Sequence, residues 1–595
     1  MVGRGGGVLT LSRRDLLKLA GAAGMAGAAA GCATPRPGPG PNSSREPLRD
    51  RTWQYEVDVV VVGTGAAGGV AALSAVHSGA QVLVLEKALL YGGTTAKSGG
   101  VYFVPNNSFR KGKGDESREE TLHRMARYSY PQLYDPNSPQ LGLPPNEYEL
   151  LCALYDEAPV AVDELAKMGA LISQPAESAF GPMPDYFDPT REDVTPLDRR
   201  LWPKKPDGSF GLGDEMVRQL KQGLAKYNVP VLMGHRATRI LENSQGEVVG
   251  LEVTKNDGSV VNVRARRGVV FASGGFTHNR EMLLHYQPGP IFGGCAVPTN
   301  EGDFVTLASA IGAKLGHMGS AWRAQVVLEQ ALQYSSTPDD VFMPPGDSMV
   351  LVNKHGRRVV NEKSNYNERT KIHFAWDTVD HEWTNLVLFM IYDERSAELF
   401  GGRFPIPAPG TTAPYVIQAN TLEELAKAID QRLAAHSAKL GGDRLDPAFP
   451  AELKATIARF NGFARSGVDS DFRRGELLYD RMWHSRIWSF PNSGTKWPLP
   501  KKNPTMYPIA ASGPYYAILL GAGTLDTNGG PVINAKAEVL DAQDHPIPGL
   551  FGAGNCIASP TGAYYYAGGG TLGPAVAFGW IAGREAAAQA PKELD

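Results

Sequence analysis

The strongest pattern of hydrophobic positions lies near residue 60, where an apolar run meets a cluster of glycines. Residues 56–62 are almost continuously apolar, which is typical of a strand buried on both faces. Residues 69–79 are rich in small residues and predict a helix, and residues 81–85 predict a second strand that ends at Glu86. A strand, a helix and a second strand in this order predict an α/β fold with a Rossmann-like domain around a parallel sheet.

Further apolar runs extend this pattern along the chain. Additional strands of the same kind are predicted at 229–240, 248–254 and 269–275. Strands at 349–353 and 386–392 and amphipathic helices at 422–440 and 451–466 follow in the second half. A last helix at 576–590 comes after two glycine-rich runs, which indicates that the chain returns to its first domain.

The glycine cluster is a GxGxxG motif between the first strand and the helix. Its first glycine makes the tight turn, its second lets the backbone approach a pyrophosphate, and its third lets the helix pack on the strand. The start of the helix faces the negative charge of the ligand, and an acidic residue after the second strand accepts ribose hydroxyl groups. These expectations place the dinucleotide contacts at Gly63, Gly65, Ala66, Ala67, Gly68 and Glu86.

A second run of small and hydroxylated residues, at 92–100, favours FAD over NAD as the cofactor. Such a run can wrap a diphosphate and the edge of a flavin without side-chain bulk, and NAD enzymes have no need of it. Together with later strand ends and glycine runs, it extends the predicted cofactor contacts to Lys87, Gly93, Thr94, Thr95, Ser98, Gly99, Gly100, Ala237, Ala272, Gly274, Gly554, Asn555 and Leu572.

Composition and charge exclude several classes of partner. The 595 residues are 42% hydrophobic and 20% charged, which is ordinary for a chain with a large core. Lys and Arg number 59 against 62 Asp and Glu, so no basic field exists to attract nucleic acid. The four cysteines lie far apart and the twelve histidines show no ligand spacing, so no metal site is expected.

The first 54 residues are predicted to lie outside the fold. Arg13 and Arg14 precede an apolar run at 19–30, a pattern typical of a Tat export signal, which we assign to residues 1–32. The run is well short of the about 20 residues that a membrane-spanning helix needs. Residues 29–32 allow either lipidation at Cys32 or cleavage at an Ala-x-Ala site. Residues 33–54 predict a tether, so a periplasmic or extracytoplasmic location is expected, with a lipid anchor to the membrane as an open alternative.

Four glycine-rich segments carry a resemblance to a known family. Residues 92–100, 271–276, 549–555 and 568–575 resemble the flavoprotein superfamily of the fumarate reductases and 3-ketosteroid dehydrogenases. The resemblance implies an FAD-binding domain at 55–320 and 510–595, interrupted at 321–509 by an α+β capping domain that closes over the substrate. Non-covalent FAD is expected, because no histidine stands beside the 92–100 run, where covalent attachment in this superfamily needs one.

Single positions favour the 3-ketosteroid Δ1-dehydrogenase branch. Tyr366 follows the Asn-Glu pair at 361–362 at the spacing where fumarate-type reductases carry an arginine proton donor. Tyr186, in a Pro-Asp-Tyr segment, and Tyr565, four residues before Gly569, also match that branch. Met183 and the Tyr-Tyr-Ala-Gly-Gly segment at 565–569 depart from its pattern, which leaves the exact substrate open.

The resemblance implies a role for each matched residue. Tyr366 is the base that takes the acidic α-proton of a ketone, and Tyr186 stabilises its anion. The Tyr565 hydroxyl and the Gly569 N–H hold the developing enolate oxygen, while flavin N5 takes the hydride. The expected reaction is the 1,2-desaturation of a small hydrophobic, steroid-like ketone, with a quinone or a redox protein as electron acceptor.

Two other functions stay open at this point. A periplasmic ene-reductase of the fumarate or urocanate type is compatible with the export signal and would need a quinol or cytochrome as electron source. A flavin-bearing electron carrier or binding lipoprotein without turnover of its own is the third possibility.

Overall fold

A computed structural model describes residues 48–110, 117–175, 185–186, 199–337, 342–487 and 490–595. The chain divides into two units, Met1–Arg51 and Thr52–Asp595. Of the first unit, the structure describes one turn of 3₁₀ helix at Leu48–Asp50. The predicted export signal, Cys32, the tether up to residue 47 and residues 183–184 lie outside the described residues.

Most of the strands that build the second unit fall in two sheets. In chain order they are β1 Tyr55–Val62, β2 Val82–Glu86, β3 Tyr102–Phe103, β4 Ser173–Pro175, β5 Arg200–Pro203, β6 Val231–Met233, β7 His235–Glu242, β8 Val248–Lys255, β9 Val260–Phe271, β10 Gly293–Gly294, β11 Leu315–Gly316, β12 Ala321–Val327, β13 Met349–Val352, β14 Trp376–Asp377, β15 Glu382–Trp383, β16 Val387–Asp393, β17 Val416–Ala419, β18 Tyr515–Thr527, β19 Gly530–Pro531, β20 Glu538–Leu540 and β21 Pro546–Gly552.

The α-helices cover the sheets and connect their strands. They are α1 Ala66–His77, α2 Arg118–Ser129, α3 Pro145–Lys167, α4 Gly213–Lys226, α5 Arg280–Tyr286, α6 Asp303–Ser309, α7 Leu328–Tyr334, α8 Tyr366–Thr370, α9 Glu394–Leu399, α10 Leu422–Ala435, α11 Phe449–Ser466, α12 Leu478–Met482 and α13 Leu572–Ala588. Within the described residues, no helix is long and apolar enough to cross a membrane.

The first sheet has the order β20-β21-β9-β1-β2-β6, with β7 and β8 added beside β9. Its central strands β21, β9, β1, β2 and β6 are parallel, which brings their carboxyl ends to one edge. Val59–Val62 of β1 and all of β2 are buried, as expected for the centre of a parallel sheet. This edge, at the ends of β1, β2 and β9, is the place where such folds bind ligands.

The second sheet is organised around β18, which pairs with β10, β12, β16 and β17. The outer strand β13 continues the sheet beyond β16, and α10 and α11 pack against it in a separate hydrophobic core. Strand β18 follows the predicted domain boundary at 509, and β10 precedes the one at 321. The predicted boundaries therefore cross a continuous sheet, and their positions stay a prediction.

Most predicted elements are present with small shifts of their ends, and one is divided. The apolar run at 229–240 forms the two strands β6 and β7, because Gly234 adopts a φ of +70° between them. Helix α10 ends at Ala435 rather than near residue 440, and a short 3₁₀ turn follows it at Ser437–Lys439. Gln54, within the predicted tether, already forms hydrogen bonds with Asn262 of β9.

Candidate active site

A cleft of about 830 Å³ opens at the carboxyl edge of the first sheet. The GxGxxG segment forms its floor between β1 and α1. Gly63 adopts a φ of +111°, and a Cβ there would lie 2.3 Å from the Ala272 carbonyl oxygen, so only glycine fits this turn. Helix α1 begins at Ala66, whose N–H donates to Thr95 Oγ1 at 3.0 Å. The first strand, its turn and the 92–100 run thus meet as the sequence predicts.

Most predicted cofactor contacts line this cleft. The lining residues among them are Gly63, Gly65, Ala66, Ala67, Glu86, Lys87, Gly93, Thr94, Thr95, Ala237, Ala272, Gly274, Gly554, Asn555 and Leu572. They come from segments that are more than 500 residues apart at the extremes, from Gly63 to Leu572. The fold therefore joins the two ends of the chain into one binding site.

Four predicted contacts lie outside the cleft lining. Gly68 sits where a Cβ would be 2.0 Å from the Gly63 carbonyl oxygen, so it serves the packing of α1 on its turn. Ser98 Oγ donates to the Thr95 carbonyl oxygen at 2.8 Å and accepts from the Gly100 N–H at 3.1 Å. The Gly99 carbonyl oxygen accepts from the Trp202 indole. Ser98, Gly99 and Gly100 therefore form hydrogen bonds within the 92–100 segment and with Trp202, rather than lining the cleft.

The acidic and basic residues after β2 are held by specific partners. Glu86 Oε2 accepts from the Thr64 N–H at 3.1 Å and the Thr64 hydroxyl at 2.7 Å, which fixes the carboxylate at the cleft wall. Lys87 Nζ lies 3.0 Å from Glu301 and 2.9 Å from Asp303. The lysine charge is therefore compensated within the protein, whereas the fixed Glu86 carboxylate keeps acceptor capacity for ribose hydroxyls.

The arrangement fits an adenine dinucleotide with a flavin end. Glycines and alanines leave the backbone accessible along the Gly63–Ala67 turn, and the N-terminus of α1 favours a pyrophosphate there. Glu86 suits the ribose at one end of the cleft. The opposite end, at Asn555 and Thr571, has room and polar groups for a second ring system.

Several lining residues were not predicted. Asp526, Asn300, Thr571, Ser273 and His235 also border the cleft. Asp526 is the clearest case, because its side chain is 1% exposed and it is the one acidic residue in the mostly apolar strand β18. A lone carboxylate in a buried strand was the signal that could have identified it.

A second group of side chains, here called the aromatic chamber, lies next to the cleft. It is a buried cluster of Tyr186, Trp322, Met343, Tyr366, Tyr479, Trp483 and Tyr565. Tyr366 is the first residue of the short helix α8, whose preceding residue Asn365 caps it by accepting from the Glu368 N–H. The Tyr186 N–H donates to the Tyr566 carbonyl oxygen at 2.8 Å, which ties Tyr186 to the loop that carries Tyr565.

The structure brings the three predicted tyrosines together. The hydroxyls of Tyr186 and Tyr366 are 2.8 Å apart and share a hydrogen bond. The Tyr565 ring stacks on Tyr186 at 5.6 Å between centroids and meets Tyr366 edge-on at 5.4 Å. Residues that are 180 to 380 positions apart in the chain thus converge at one point, as the tyrosine assignment requires.

Gly569, the fourth predicted catalytic residue, lies in the same loop as Tyr565. It adopts a φ of +90° against β3, and its carbonyl oxygen accepts from the Phe103 N–H at 3.1 Å. Within the described residues, the Gly569 N–H donates no hydrogen bond. That donor is therefore available to a ligand.

Burial dominates the electrostatics of the tyrosines. Loss of water raises the pKa of Tyr366 well above that of an ordinary phenol, and the neighbouring Tyr186 and Tyr565 add to the effect. The pKa of Tyr186 is raised in the same way, while its hydrogen bond with Tyr366 and the charge of Arg200 act in the opposite direction. A tyrosinate in this chamber needs hydrogen bonds or a cation to stabilise it.

The chamber and the cleft meet at two contacts. The Thr571 hydroxyl, in the cleft lining, donates to the Tyr565 hydroxyl at 3.3 Å. The Trp322 indole donates to Asn555 Oδ1 at 3.0 Å. A smaller cavity of about 260 Å³ is lined by Trp322, Asn528, Asn555 and Thr571 among others. The aromatic chamber is therefore joined to the Asn555 end of the cleft by two hydrogen bonds.

Comparisons with known proteins bear directly on this site. Residues 58–572 match the model of the FAD-binding domain family, "FAD binding domain". The chain belongs to this family. The chain is 32% identical to a 3-oxosteroid 1-dehydrogenase of Mycolicibacterium smegmatis. The alignment covers 90% of this chain and 98% of that protein. It is 31% identical to 4-oxocyclohexanecarboxylate 2-dehydrogenase of Sinomonas cyclohexanicum, over 90% and 93%.

A solved structure gives the same result for this FAD-binding-domain protein. The 3-ketosteroid Δ1-dehydrogenase of Sterolibacterium denitrificans, in complex with 1,4-androstadiene-3,17-dione, superimposes with a TM-score of 0.71 at 26% identity. The superposition covers 90% of this chain and 100% of that one. The resemblance, the α/β FAD-binding fold, the assignment as an FAD-dependent dehydrogenase and FAD as cofactor are thereby confirmed. The residue roles, the domain boundaries and non-covalent attachment stay predictions.

Proposed function

We propose that this protein introduces a carbon–carbon double bond next to the ketone of a steroid-like cyclic substrate, in the manner of a 3-ketosteroid Δ1-dehydrogenase. The observation that carries the proposal is the hydroxyl pair of Tyr186 and Tyr366, 2.8 Å apart, beside Tyr565 at the inner end of the FAD cleft. The names of the relatives support a ketone as the substrate. The apolar lining of the chamber supports a hydrophobic one.

The chain's own residues divide the work of such a reaction. Bound FAD would supply the acceptor for a hydride, which carries the two electrons of the oxidation. Tyr366 acts as a phenolate that takes the acidic proton from the carbon next to the ketone and so becomes a neutral phenol. Tyr186, whose hydroxyl lies 2.8 Å away, donates a hydrogen bond that stabilises the phenolate before the transfer. The aromatic walls exclude water, so that the proton and the hydride leave the substrate for these acceptors rather than for solvent.

Tyr565 and Gly569 would hold the ketone oxygen. A phenol hydroxyl and a backbone N–H, for which the described residues supply no backbone acceptor, would form a pair of donors for the negative charge that develops there. One donor of this kind is typically worth about 3 kcal/mol in the transition state. Hydrogen bonds from Tyr565 and Gly569 to the ketone oxygen would also lower the pKa of the C–H group next to the ketone. Proton transfer to Tyr366 would then be easier, although a buried tyrosine is only weakly ionised.

Turnover assays test this proposal. The purified protein is incubated with 4-androstene-3,17-dione and an artificial electron acceptor, and the product is examined for a new ring double bond. We expect desaturation of the steroid and no reduction of fumarate by reduced viologen. Reduction of fumarate without steroid turnover would contradict the proposal and favour the ene-reductase. Flavin that is never reduced by any ketone would favour the electron carrier.

We also propose that the protein is exported by the Tat pathway and acts in the periplasm or outside the cytoplasm, on the basis of the twin arginines before the apolar run. Replacement of Arg13 and Arg14 by lysine is expected to keep folded, flavin-bearing protein in the cytoplasm. Unchanged export would contradict it. A Cys32→Ser variant that still fractionates with membranes would exclude a lipid anchor at Cys32.

A further inference from the structure

Asp526 is a buried acid at the end of β18 that the proposed reaction does not use. Its side chain is 1% exposed and borders the FAD cleft. Burial raises the pKa of its carboxyl group, and the hydrogen bonds that it accepts act against this rise. A carboxylate is costly to bury, so its partners matter.

Five donors converge on this carboxylate. Oδ2 accepts from the Gly275 N–H at 2.9 Å, Asn300 Nδ2 at 2.6 Å and Asn555 Nδ2 at 3.2 Å, and Oδ1 accepts from the Thr277 hydroxyl at 2.9 Å and the Thr527 N–H at 3.0 Å. Four of the five partners are N–H groups, which can only donate, and the fifth is a hydroxyl. These partners favour the ionised carboxylate.

The position of Asp526 in the cleft follows from its partners. Glu86 marks the ribose end, whereas Asn555 joins Asp526 to Trp322 of the aromatic chamber. The proposed function places the substrate at the aromatic chamber, so the reacting ring of FAD would have to occupy the Asn555 end. Asp526 would then stand beside the flavin and not beside the adenosine.

We propose that Asp526 is a positioning residue for the flavin: its carboxylate fixes the amides of Asn300 and Asn555 and makes the reduction potential of bound FAD more negative. A fixed negative charge in a site of low dielectric constant opposes the arrival of electrons on a neighbouring ring. The side-chain amides of Asn300 and Asn555 both donate to Asp526 Oδ2. In the proposal, Asp526 therefore sets both the orientation of these amides and the reduction potential of the flavin. The inference rests on the proposed function, which places the reacting ring of FAD at the Asn555 end, but it does not depend on which ketone is the substrate.

Asp526→Asn separates the charge from the hydrogen bonds. Its carbonyl oxygen can take the place of Oδ2, with its amide group towards the Thr277 hydroxyl, so that the bonds to Gly275, Asn300 and Asn555 are kept. We expect this variant to hold FAD with wild-type affinity and to show a midpoint potential shifted in the positive direction. The potential is measured by titration with a reductant and a reference dye, and the affinity by titration of the apoprotein with FAD.

Asp303→Asn is the matched control. It removes the same charge from the same cleft, but at the end where Asp303 pairs with Lys87. We expect the midpoint potential to stay at the wild-type value. An equal shift in Asp303→Asn would overturn the local role of Asp526.

Asp526→Ala removes the charge and the acceptor together. We expect a positive shift like that of Asp526→Asn and, in addition, at least a tenfold weaker binding of FAD, because the amides of Asn300 and Asn555 lose their common partner. If Asp526→Asn or Asp526→Ala retains FAD and the midpoint potential of the bound flavin is that of the wild type, the proposal is rejected. If neither variant holds FAD, Asp526 is a structural residue of the cleft and its proposed effect on the potential is rejected as well.

Discussion

At the scale of the residue, Tyr366 combines two properties that oppose each other. To act as the proposed base it must first lose its own proton, yet burial and the neighbouring Tyr186 and Tyr565 raise the pKa of its hydroxyl. An ordinary tyrosine has a pKa of about 10, so the buried residue starts from an even less ionised state. In the proposed reaction, a hydrogen bond donated by Tyr186 to the Tyr366 phenolate would offset this rise, and the two hydroxyls are 2.8 Å apart with either able to donate. The two proposed donors at the ketone oxygen would make the carbon acid easier to deprotonate.

Replacement of Tyr366 by Phe removes the proposed base and keeps the ring packing. We expect the FAD spectrum and steroid binding to survive, while turnover falls at least about a hundredfold, the usual contribution of a general base. Single-turnover reduction of the flavin measures the effect directly. Tyr186→Phe is the control within the same pair and is expected to be milder, since it removes only the donor to Tyr366. Wild-type flavin reduction in Tyr366→Phe would show that the base lies elsewhere.

Replacement of Tyr565 by Phe removes one of two proposed donors to the ketone oxygen. Because the Gly569 N–H remains, we expect a loss that corresponds to about 3 kcal/mol in kcat/KM rather than complete inactivity. Steady-state kinetics on a 3-ketosteroid provide the measurement. An unchanged kcat/KM would mean that Tyr565 packs against Tyr186 without contacting the substrate.

The raised pKa of Tyr366 also predicts the pH dependence. Below that pKa, the ionised fraction of the base grows about tenfold with each pH unit, so the rate of flavin reduction should rise from neutral to alkaline pH. Tyr366→Phe should lose this rise together with most of its rate. A wild-type rate that falls over the same range would contradict a tyrosine base.

At the scale of the element, helices α1 and α13 approach each other so closely that their backbones nearly touch. A Cβ at Gly583 of α13 would lie 2.1 Å from the Ala71 carbonyl oxygen of α1. This contact joins the first and the last helix of the second unit, and both helices border the FAD cleft through Ala66, Ala67, Leu572 and Ala575. The packing of the helices therefore sets the width of the cleft.

Replacement of Gly583 by Ala is expected to destabilise the protein by about 1–3 kcal/mol, because the helices must move apart to admit the methyl group. The matched control is Gly462→Ala in α11, where a Cβ would meet no atom within 4 Å. That change should instead stabilise by about 0.5–1 kcal/mol, since alanine favours a helix. Thermal unfolding of both variants checks the signs. Equal effects would contradict the close helix contact.

The elements also show what the sequence could and could not predict. The βαβ unit at Tyr55–Glu86 follows from local periodicity, and its glycines predict the turn correctly. The second sheet could not be derived in this way, because β18 pairs with strands that lie up to about 230 residues away, such as β10. The partners of Asp526 could not be predicted for the same reason, since Asn300 precedes β18 in the chain and Asn555 follows it.

At the scale of the whole molecule, FAD connects segments from both ends of the chain, and its binding should therefore stabilise the entire second unit. Purified protein is expected to be yellow and to release FAD on acid denaturation. Free FAD at a hundredfold of its Kd should add about 2.7 kcal/mol to the apoprotein by mass action. A melting curve with and without FAD measures this, with NAD as the control ligand. A colourless protein that NAD stabilises equally would contradict the assignment.

Gly63 and Leu572 line the same cleft although they are far apart in the chain. This separation has a consequence for synthesis on the ribosome. The first βαβ unit emerges early, but the walls at Gly554–Asn555 and the covering helix α13 are translated last. At about 5–20 residues per second, roughly half a minute or longer separates the two events. During that interval the early part of the cleft lacks the walls that come from the later segments. We therefore expect tight binding of FAD only after residues 554–575 have been translated.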